Sequence, residues 1–395
     1  MLFRILYNFC SNFRVNSKKG FWNFFKKCFY YLAVLIFAVV LLPVSVCLHL
    51  LSYRVANVLT NRVGHLALEP FALLLSNNNH DKKKQYVILA NPKNVANHEL
   101  AQIWKSNFLV VESSVGEFFW KATCIFGLCF ADMAGCLAAG SSELRLIDLI
   151  KNQNTPIQWI KITNEQNLRA QDVMKDLGCS GKGIVCVHSR SEGYSIIDDD
   201  IQSYRNTTFS NYLPSIKMLL SRGYIVVVFG HNKEKIDFTH KNLIFVCDIT
   251  DGSESFQLYC LSTCEFFLGN TSGIAFVASI FGKPLALANV VPVEALPFFE
   301  HDVGMFKSYY LNGLKLSFEE CLKPEYSGFF RTTKFRDHEI ELAENSPDEI
   351  LVMCEWMITR SGIKKKFQLT DVCYRENHYS FGTKAKYFKV SNSLT

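Results

Sequence analysis

From Phe29 to Tyr53 the chain runs for 25 residues, FYYLAVLIFAVVLLPVSVCLHLLSY, without an Asp, Glu, Lys or Arg. A helix rising about 1.5 Å per residue crosses the ~30 Å hydrocarbon layer of a bilayer in that length. A buried helix of a soluble protein rarely goes so far without a polar face, so residues 29–53 read as a membrane anchor. Two other readings use the same residues. A signal peptide would carry a shorter apolar core, about 7–15 residues, and a small-residue cleavage site, which does not follow here. A helix kinked at Pro43 could enter the bilayer and return, keeping both flanks on one side.

The charge beside this stretch is one-sided. Residues 1–28 hold Arg4, Arg14, Lys18, Lys19, Lys26 and Lys27 and no acid, interleaved with Leu2, Phe3, Phe13, Phe21, Trp22, Phe24 and Phe25. That mixture suits an anionic lipid surface with rings at headgroup depth. The whole chain has 42 basic and 36 acidic side chains, so the rest is balanced, which argues against nucleic acid as a partner. The basic flank puts the N-terminus in the cytoplasm, and a single clean span would then export the body. Cysteine points the other way. Of 14 cysteines, most lie in apolar runs (Cys186, Cys247, Cys260, Cys264), as small buried hydrophobes of a reducing compartment do. Sequons at Asn206 and Asn270 are short enough to arise by chance. The body is therefore expected on the cytoplasmic face.

The whole chain, 395 residues at 49% apolar, can bury a large core, which excludes wholesale disorder and a disulfide-stapled mini-protein. Apolar runs alternate with amphipathic stretches. Strands are expected at 86–90, 108–111 and 157–162, and helices at 96–105 and 164–177. The run Gly178-Cys-Ser-Gly-Lys-Gly183 breaks the pattern and suggests a domain boundary. After it come strands at 184–188, 225–229, 243–246, 266–269 and 285–288, with helices at 209–221, 253–262 and 272–281. Alternation with continuous apolar strands means parallel sheets covered on both faces. The expected architecture is α/β, two Rossmann-like domains (54–180 and 181–362) facing a cleft, preceded by the basic segment and the anchor. Residues 363–395 read as a basic, solvated tail, with adhesion to the membrane surface as the other reading.

Three blocks carry chemistry. In Phe266-Phe-Leu-Gly-Asn-Thr-Ser-Gly273 a strand runs through a small-residue turn into a helix ended by Gly282 and Pro284. Helix N-termini leave N–H groups unpaired, so Asn270, Thr271, Ser272 and Gly273 suit a diphosphate; the plainer reading is a βα turn capped by Thr271 or Ser272. Walker and GxGxxG patterns are absent here, which argues against ATP hydrolysis and NAD. Strand 184–188 delivers His188, Arg190 and Glu192 into a loop, followed by Asp198–Asp200 and Ser203-Tyr-Arg-Asn206. Arg190 and Arg205 could neutralise a leaving diphosphate without a metal, or could pair with Asp198, Asp199 or Asp200 to brace the loop. The same aspartates are the one candidate for a DxD metal site, and they lie beside two arginines. No CxxC pair occurs, which argues against zinc. In Asn61-Arg-Val-Gly-His-Leu-Ala-Leu-Glu-Pro70, His65 stands at a helix entrance with Glu69 one turn on along the same face. Either could take a proton from a hydroxyl, or His65 could be a structural cap.

RVGHLALEP, VCVHSRSEGY with SYRNTTFSNYLPSIKMLLSRGY, and FFLGNTSGIAFVASIFGKPLALANVVP together resemble a family of predicted bacterial glycosyltransferases of surface-polysaccharide loci, over about residues 61–362. More remotely, the first block resembles the Arg-x-Gly-Asp entrance of heptosyltransferases, where an Asp is the base and His65 stands here. The His188-Ser189-Arg190 stretch is similar to a His-x-Arg strand end of fucosyltransferases, whose arginine contacts the donor phosphate. The resemblance implies a GT-B fold with acceptor contacts mainly in the first domain and a nucleotide sugar mainly in the second. It implies an enzyme at the bacterial inner membrane, needing no cofactor, with a glycan or lipid-linked acceptor. A transferase of phosphorylated polyol units, or a non-catalytic membrane scaffold of a glycan-assembly complex, are the alternatives.

Overall fold

A computed structural model of the chain describes residues 18–78, 84–133, 135–137, 144–153, 156–191, 201–230, 238–295, 299, 301–359, 367–371 and 386–390. The chain forms two compact units, Met1–Asn154 and Thr155–Thr395.

Among the described residues the first unit opens with helix α1 (Lys18–Leu50), which contains the whole apolar stretch up to Leu50. It passes without a linker into β1 (Tyr53–Ala56). Ser52, at φ +62°, makes the corner, and its N–H donates to His49 O at 3.0 Å. The expected anchor therefore stops three residues early: Tyr53 belongs to a sheet. Then follow α2 (Val63–Asn78), β2 (Gln85–Ala90), α3 (His98–Trp104), β3 (Leu109–Glu112), α4 (Gly116–Cys124), β4 (Phe130–Ala131) and α5 (Leu146–Lys151). The four strands are all parallel in the order β3-β2-β1-β4.

In the second unit, the segment 157–162 is not a strand, against expectation. It is an extended strap whose Ile160 N–H donates to Ile280 O at 3.1 Å. The Trp159 ring seals it, packed edge-on to Phe299 with centroids 4.9 Å apart, so the apolar residues of the run are spent on a helix end rather than a sheet. α6 (Asn164–Asp176) follows, started by a Thr163/Gln166 capping box. It packs on the later helix Ser253–Thr263, so contacts divide the chain before this helix and not at the 178–183 run.

Next come β5 (Ile184–His188), a 3₁₀ turn 209–212 leading into α7 (Leu213–Ser221), β6 (Ile225–Phe229), β7 (Leu243–Phe245), α8 (Ser253–Thr263), β8 (Phe266–Gly269), α9 (Gly273–Ile280), β9 (Leu285–Val290) and β10 (Val303–Phe306). These six strands are parallel and ordered β10-β9-β8-β5-β6-β7. Counted from β5 the order is 6-5-4-1-2-3, the doubly wound arrangement whose direction reverses between the first and fourth strands.

Period-two alternation assigns the strand side chains to two buried faces. Val185, Val187, Val226 and Val228 pack with Ile216 and Leu219 of α7 and with Met353 and Met357 of α10 (Pro347–Thr359). Cys186 points the other way, against Cys264 and Cys260. Each fully buried valine or leucine contributes roughly 1.5–3 kcal/mol, which is why these strands read as unbroken apolar runs. Cys186, Cys260 and Cys264 are buried as expected, whereas Cys247 is exposed.

Two features lie beyond the expected pattern. β11 (Ser308–Leu311), β12 (Leu314–Lys315) and β13 (Ile340–Ala343) form a small antiparallel sheet. Its hairpin turns at Asn312-Gly313, both at positive φ, as a two-residue type I′ turn requires. Residues 367–371 and 386–390, expected within a loose tail, form β14 and β15. β15 pairs parallel with β10, and β14 pairs antiparallel with β15 at the sheet edge. Lys386-Tyr-Phe-Lys-Val390 carries enough β-forming residues to extend an open edge.

Candidate functional sites of the two units

Register places the carboxyl ends of the central strands of the second unit level with one another. His188 is opposite Phe229 on one side and opposite Gly269 on the other. Between β5 and β8 is the point where strand order reverses, and ligands of open parallel sheets bind outside the strand ends there. The strands meet closely. A Cβ on Gly269 would lie 2.4 Å from His188 O, and one on Gly230 would lie 3.1 Å from the His188 ring.

The loops leaving β5 and β8 are tied together by Asn270. Its Oδ1 accepts from the Arg190 N–H at 3.1 Å and its Nδ2 donates to Arg205 O at 2.7 Å. Asn270 is fully buried (0% exposed), so it clamps two backbones, and its sequon amide is out of reach of a modifying enzyme. Arg190 is held by Nε to Asn206 Oδ1 at 3.1 Å, and the Thr207 N–H donates to Arg190 O at 2.9 Å. The Arg205 guanidinium bonds Gln202. Glu192 and Asp198–Asp200 lie outside the described residues.

His188 donates Nδ1–H to Phe229 O at 3.1 Å, an assignment of tautomer that follows from the acceptor. Burial draws its pKa down to about 4 against the pull of the Phe229 carbonyl, with the Arg190 charge a smaller contribution in the same downward direction. At neutral pH it is thus an uncharged ring with Nε2 as acceptor. It adds hydrogen-bonding capacity, not positive charge.

Past Asn270 the turn enters α9. Ser272 occupies the N-cap position, with extended backbone, yet its hydroxyl makes no cap bond. The Thr271 and Ser272 hydroxyls are both buried, at 4% residue exposure, and neither has a hydrogen-bond partner among the described residues. A buried hydroxyl without a partner is destabilising by about 1–3 kcal/mol. The first N–H groups of α9 have no intrahelical acceptor. Gly273 and Ile274 are half-exposed, so the helix mouth opens there while residues 270–272 are enclosed.

Sequence reasoning missed the residue that completes this edge. Lys307, directly after β10, is buried and donates Nζ to Asn206 O at 2.6 Å. Burial draws its pKa below the usual lysine value, opposed by Glu344. Glu344 in turn accepts from the Thr208 N–H at 2.9 Å and Asn211 Nδ2 at 3.1 Å. A lysine straight after the apolar run Val303–Phe306 was the available signal, once that run is read as a strand.

In the first unit the corresponding strand ends belong to β1 and β4, bridged where the Met133 N–H donates to Asn57 Oδ1 at 2.6 Å. The loop after β1 runs into α2, whose first turn carries His65. Glu69, one turn on, is buried with both oxygens engaged. Oε2 accepts from the Leu59 N–H at 2.8 Å, and Oε1 lies 2.7 Å from His65 Nδ1. Pro70 follows and has no N–H to give to Leu66 O; Trp104 Nε1 takes that acceptor at 2.8 Å. A side chain of α3 thereby satisfies the carbonyl that the proline leaves open. His65 is part-exposed, and with Nδ1 engaged by Glu69 its other ring nitrogen is Nε2. A carboxylate that orients Nδ1–H and leaves Nε2 as acceptor is the arrangement of an oriented general base.

No family model matches the sequence, and no curated protein matches it. Among solved structures, the chain is similar to a glycosyl transferase of family 9 from Veillonella parvula, at TM-score 0.49 and 12% identity over 78% of this chain and 98% of that one. It is similar to the ADP-heptose heptosyltransferase II of E. coli, at TM-score 0.34 and 13% identity over 64% and 84%. It is also similar to the iron-containing heptosyltransferase TibC in complex with ADP-D-beta-D-heptose, at TM-score 0.42 and 11% identity over 78% and 77%.

Proposed function

We infer that this chain is a metal-independent glycosyltransferase of GT-B type, moving a sugar from a nucleotide-sugar donor to a lipid-linked or surface-polysaccharide acceptor. It would work attached to the membrane, with its body on the cytoplasmic face. The observation that carries this reading is the uncapped N-terminus of α9 at the strand-order reversal, beside two buried hydroxyls that lack partners. Such a helix mouth offers N–H groups and partial positive charge to a diphosphate. Arg190, its backbone N–H held by Asn270 and its guanidinium by Asn206, is the cation suited to join it.

In the reaction the bond from the anomeric carbon to the diphosphate oxygen breaks and a bond from an acceptor hydroxyl oxygen forms. The hydroxyl proton passes to His65 Nε2, with Glu69 holding the ring. The electron pair leaves with the nucleoside diphosphate, whose charge is met by the α9 N–H groups, the Thr271 and Ser272 hydroxyls and Arg190. Asn270 positions these groups, and neutral His188 is suited to accept from a donor hydroxyl. Arg205 and Lys307 add positive charge to the same edge.

Enclosure of residues 270–272 favours the second reading, a non-catalytic scaffold in which the bend is simply core. A panel of nucleotide sugars and nucleotide-activated polyols separates them by thermal shift. One activated sugar at about 100 times its Kd would stabilise the protein by about 2.7 kcal/mol. Preference for an activated polyol would redirect the substrate class, and indifference to every nucleotide would leave the scaffold.

A further inference from the structure

Helix α1 touches its own unit along one stripe. Tyr30, Val34, Ala38, Leu41, Ser45 and Leu48 recur every three or four residues; Val34 and Ala38 are 2% and 1% exposed, while Ile36 and Val40 opposite are 57% and 65% exposed. The stripe is covered by α4 and the residues after it. Phe118 lies 5.9 Å from the Tyr30 ring and 5.2 Å from Phe37, Lys121 Nζ reaches Tyr30 Oη at 3.4 Å, and Ala122 and Ile125 join Val34 and Ala38 in one cluster. Near the other end, His49 Nδ1 bonds Leu128 O.

Contact from Tyr30 to His49 extends over about 28 Å of helix, close to the full ~30 Å of the hydrocarbon layer. An upright span would therefore take α4 and the chain through Cys129 to every depth of the bilayer. α4 is the crossover between β3 and β4 and lies against β1, β2 and β4. The sheet would follow it, with loops whose backbone groups have no water to bond in hydrocarbon.

The outward side of α1 is a different surface. Phe29, Leu32, Ile36, Val40 and Leu50 line it, and Val115, Phe119 and Phe126 continue it beside α4, all partly or largely exposed. Cys28–Leu50 has a mean hydropathy of 2.8. Just before it come the six basic side chains of residues 1–28, with no acid among them.

We propose that α1 lies in the plane of one anionic leaflet, its inner stripe on α4 and its outer face in the acyl boundary, so that the N-terminus and the body share one side of the membrane. A protein-covered inner stripe replaces the polar face that a free interfacial helix would turn to water. The arrangement lets the basic flank stay at a cytoplasmic leaflet without exporting the cysteine-rich body. It stands independently of the transfer reaction.

The test uses the full chain with an epitope at each end, in right-side-out and inverted vesicles exposed to protease. Both epitopes should be cut in the inverted vesicles and protected in the others; cleavage from opposite sides overturns the proposal. A re-entrant helix also returns both ends to one side, so depth is read separately with Leu32→Trp, Ile36→Trp and Val40→Trp in brominated-lipid liposomes. Equal quenching by bromines near the headgroup is expected, and a maximum at mid-bilayer for any of the three overturns it. Ile36→Asp with Val40→Asp should lower partition onto phosphatidylcholine–phosphatidylglycerol vesicles by at least about tenfold, with the unfolding midpoint retained. Unchanged partition, with a dimer converted to monomer by the same pair, would assign the face to a second copy of the chain and overturn the proposal.

Discussion

Glu69 shows how much a single side chain fixes. Its two oxygens serve a backbone N–H of the β1–α2 loop and the His65 ring, so it joins loop shape to the orientation of the proposed base. His65→Ala should lower kcat by about 10²–10⁴-fold, the usual contribution of a positioned base, and leave donor affinity unchanged; equal kcat in steady-state assays would dismiss it as base. Glu69→Ala should lower kcat comparably and not additively with His65→Ala, and should also destabilise the fold by about 1–3 kcal/mol through the orphaned Leu59 N–H, read from denaturant midpoints. His188 gives a pH signature of a different kind. Its folded pKa of about 4 lies below the unfolded value near 6.5, so the unfolded chain binds more protons between those values. Stability from this group is complete above pH 6.5 and declines as pH falls toward 4, by roughly 3 kcal/mol in all. Urea midpoints of the parent at pH 7.5 and 4.5, compared with those of His188→Gln, check it: the variant should lose less on acidification. The His65–Glu69 pair was legible because its two members are one helical turn apart. The contacts of Lys307 and Glu344 were not, since they span 101 residues from Asn206 to Lys307 and 136 from Thr208 to Glu344, and no local pattern encodes such a distance.

At the scale of elements, the turn into α9 offers a substitution that separates binding from folding. Gly273 is the first residue of that helix and Ser272 before it is extended. Proline is well tolerated at a first helical position and after an extended residue, yet it removes one N–H from the proposed diphosphate cradle. Gly273→Pro should weaken nucleotide binding by about 10- to 100-fold, in line with the roughly 1.5–3 kcal/mol of a hydrogen bond to a charged group, with the melting temperature unchanged. Titration calorimetry with the nucleotide found by thermal shift measures it, and undiminished affinity would remove the α9 mouth from the site. The elements themselves were readable where apolar runs are unbroken: β5, β6 and β8 are buried on both faces, and such strands announce themselves. β1, with only Tyr53-Arg-Val-Ala56, was hidden at the end of the long apolar stretch. The strap 157–162 has strand-like composition without a partner strand. The Asn312-Gly313 hairpin carried a readable turn signal, and β15 was masked by the lysines around it.

For the whole molecule, the proposed location and the proposed chemistry would meet in the acceptor. A soluble transferase must find a bilayer-held acceptor by three-dimensional diffusion, whereas one lying on the same leaflet meets it at a raised effective concentration. The Ile36→Asp/Val40→Asp pair changes only the exposed side of α1 and alters none of His65, Arg190 and α9. It should therefore leave transfer to a short, water-soluble acceptor unchanged and reduce transfer to the same acceptor presented on anionic vesicles by about 10²-fold or more. The six basic side chains of residues 1–28 predict the salt dependence of that difference. Each is attracted to an anionic surface by about 1 kcal/mol, an attraction screened within a Debye length of about 8–10 Å at physiological salt. Raising ionic strength should thus lower the vesicle rate of the parent chain while leaving the soluble-acceptor rate flat. Parallel loss of both rates in the double variant would mean instead that α1 supports the first unit's fold and its site directly, and that the membrane face and the chemistry are not separable.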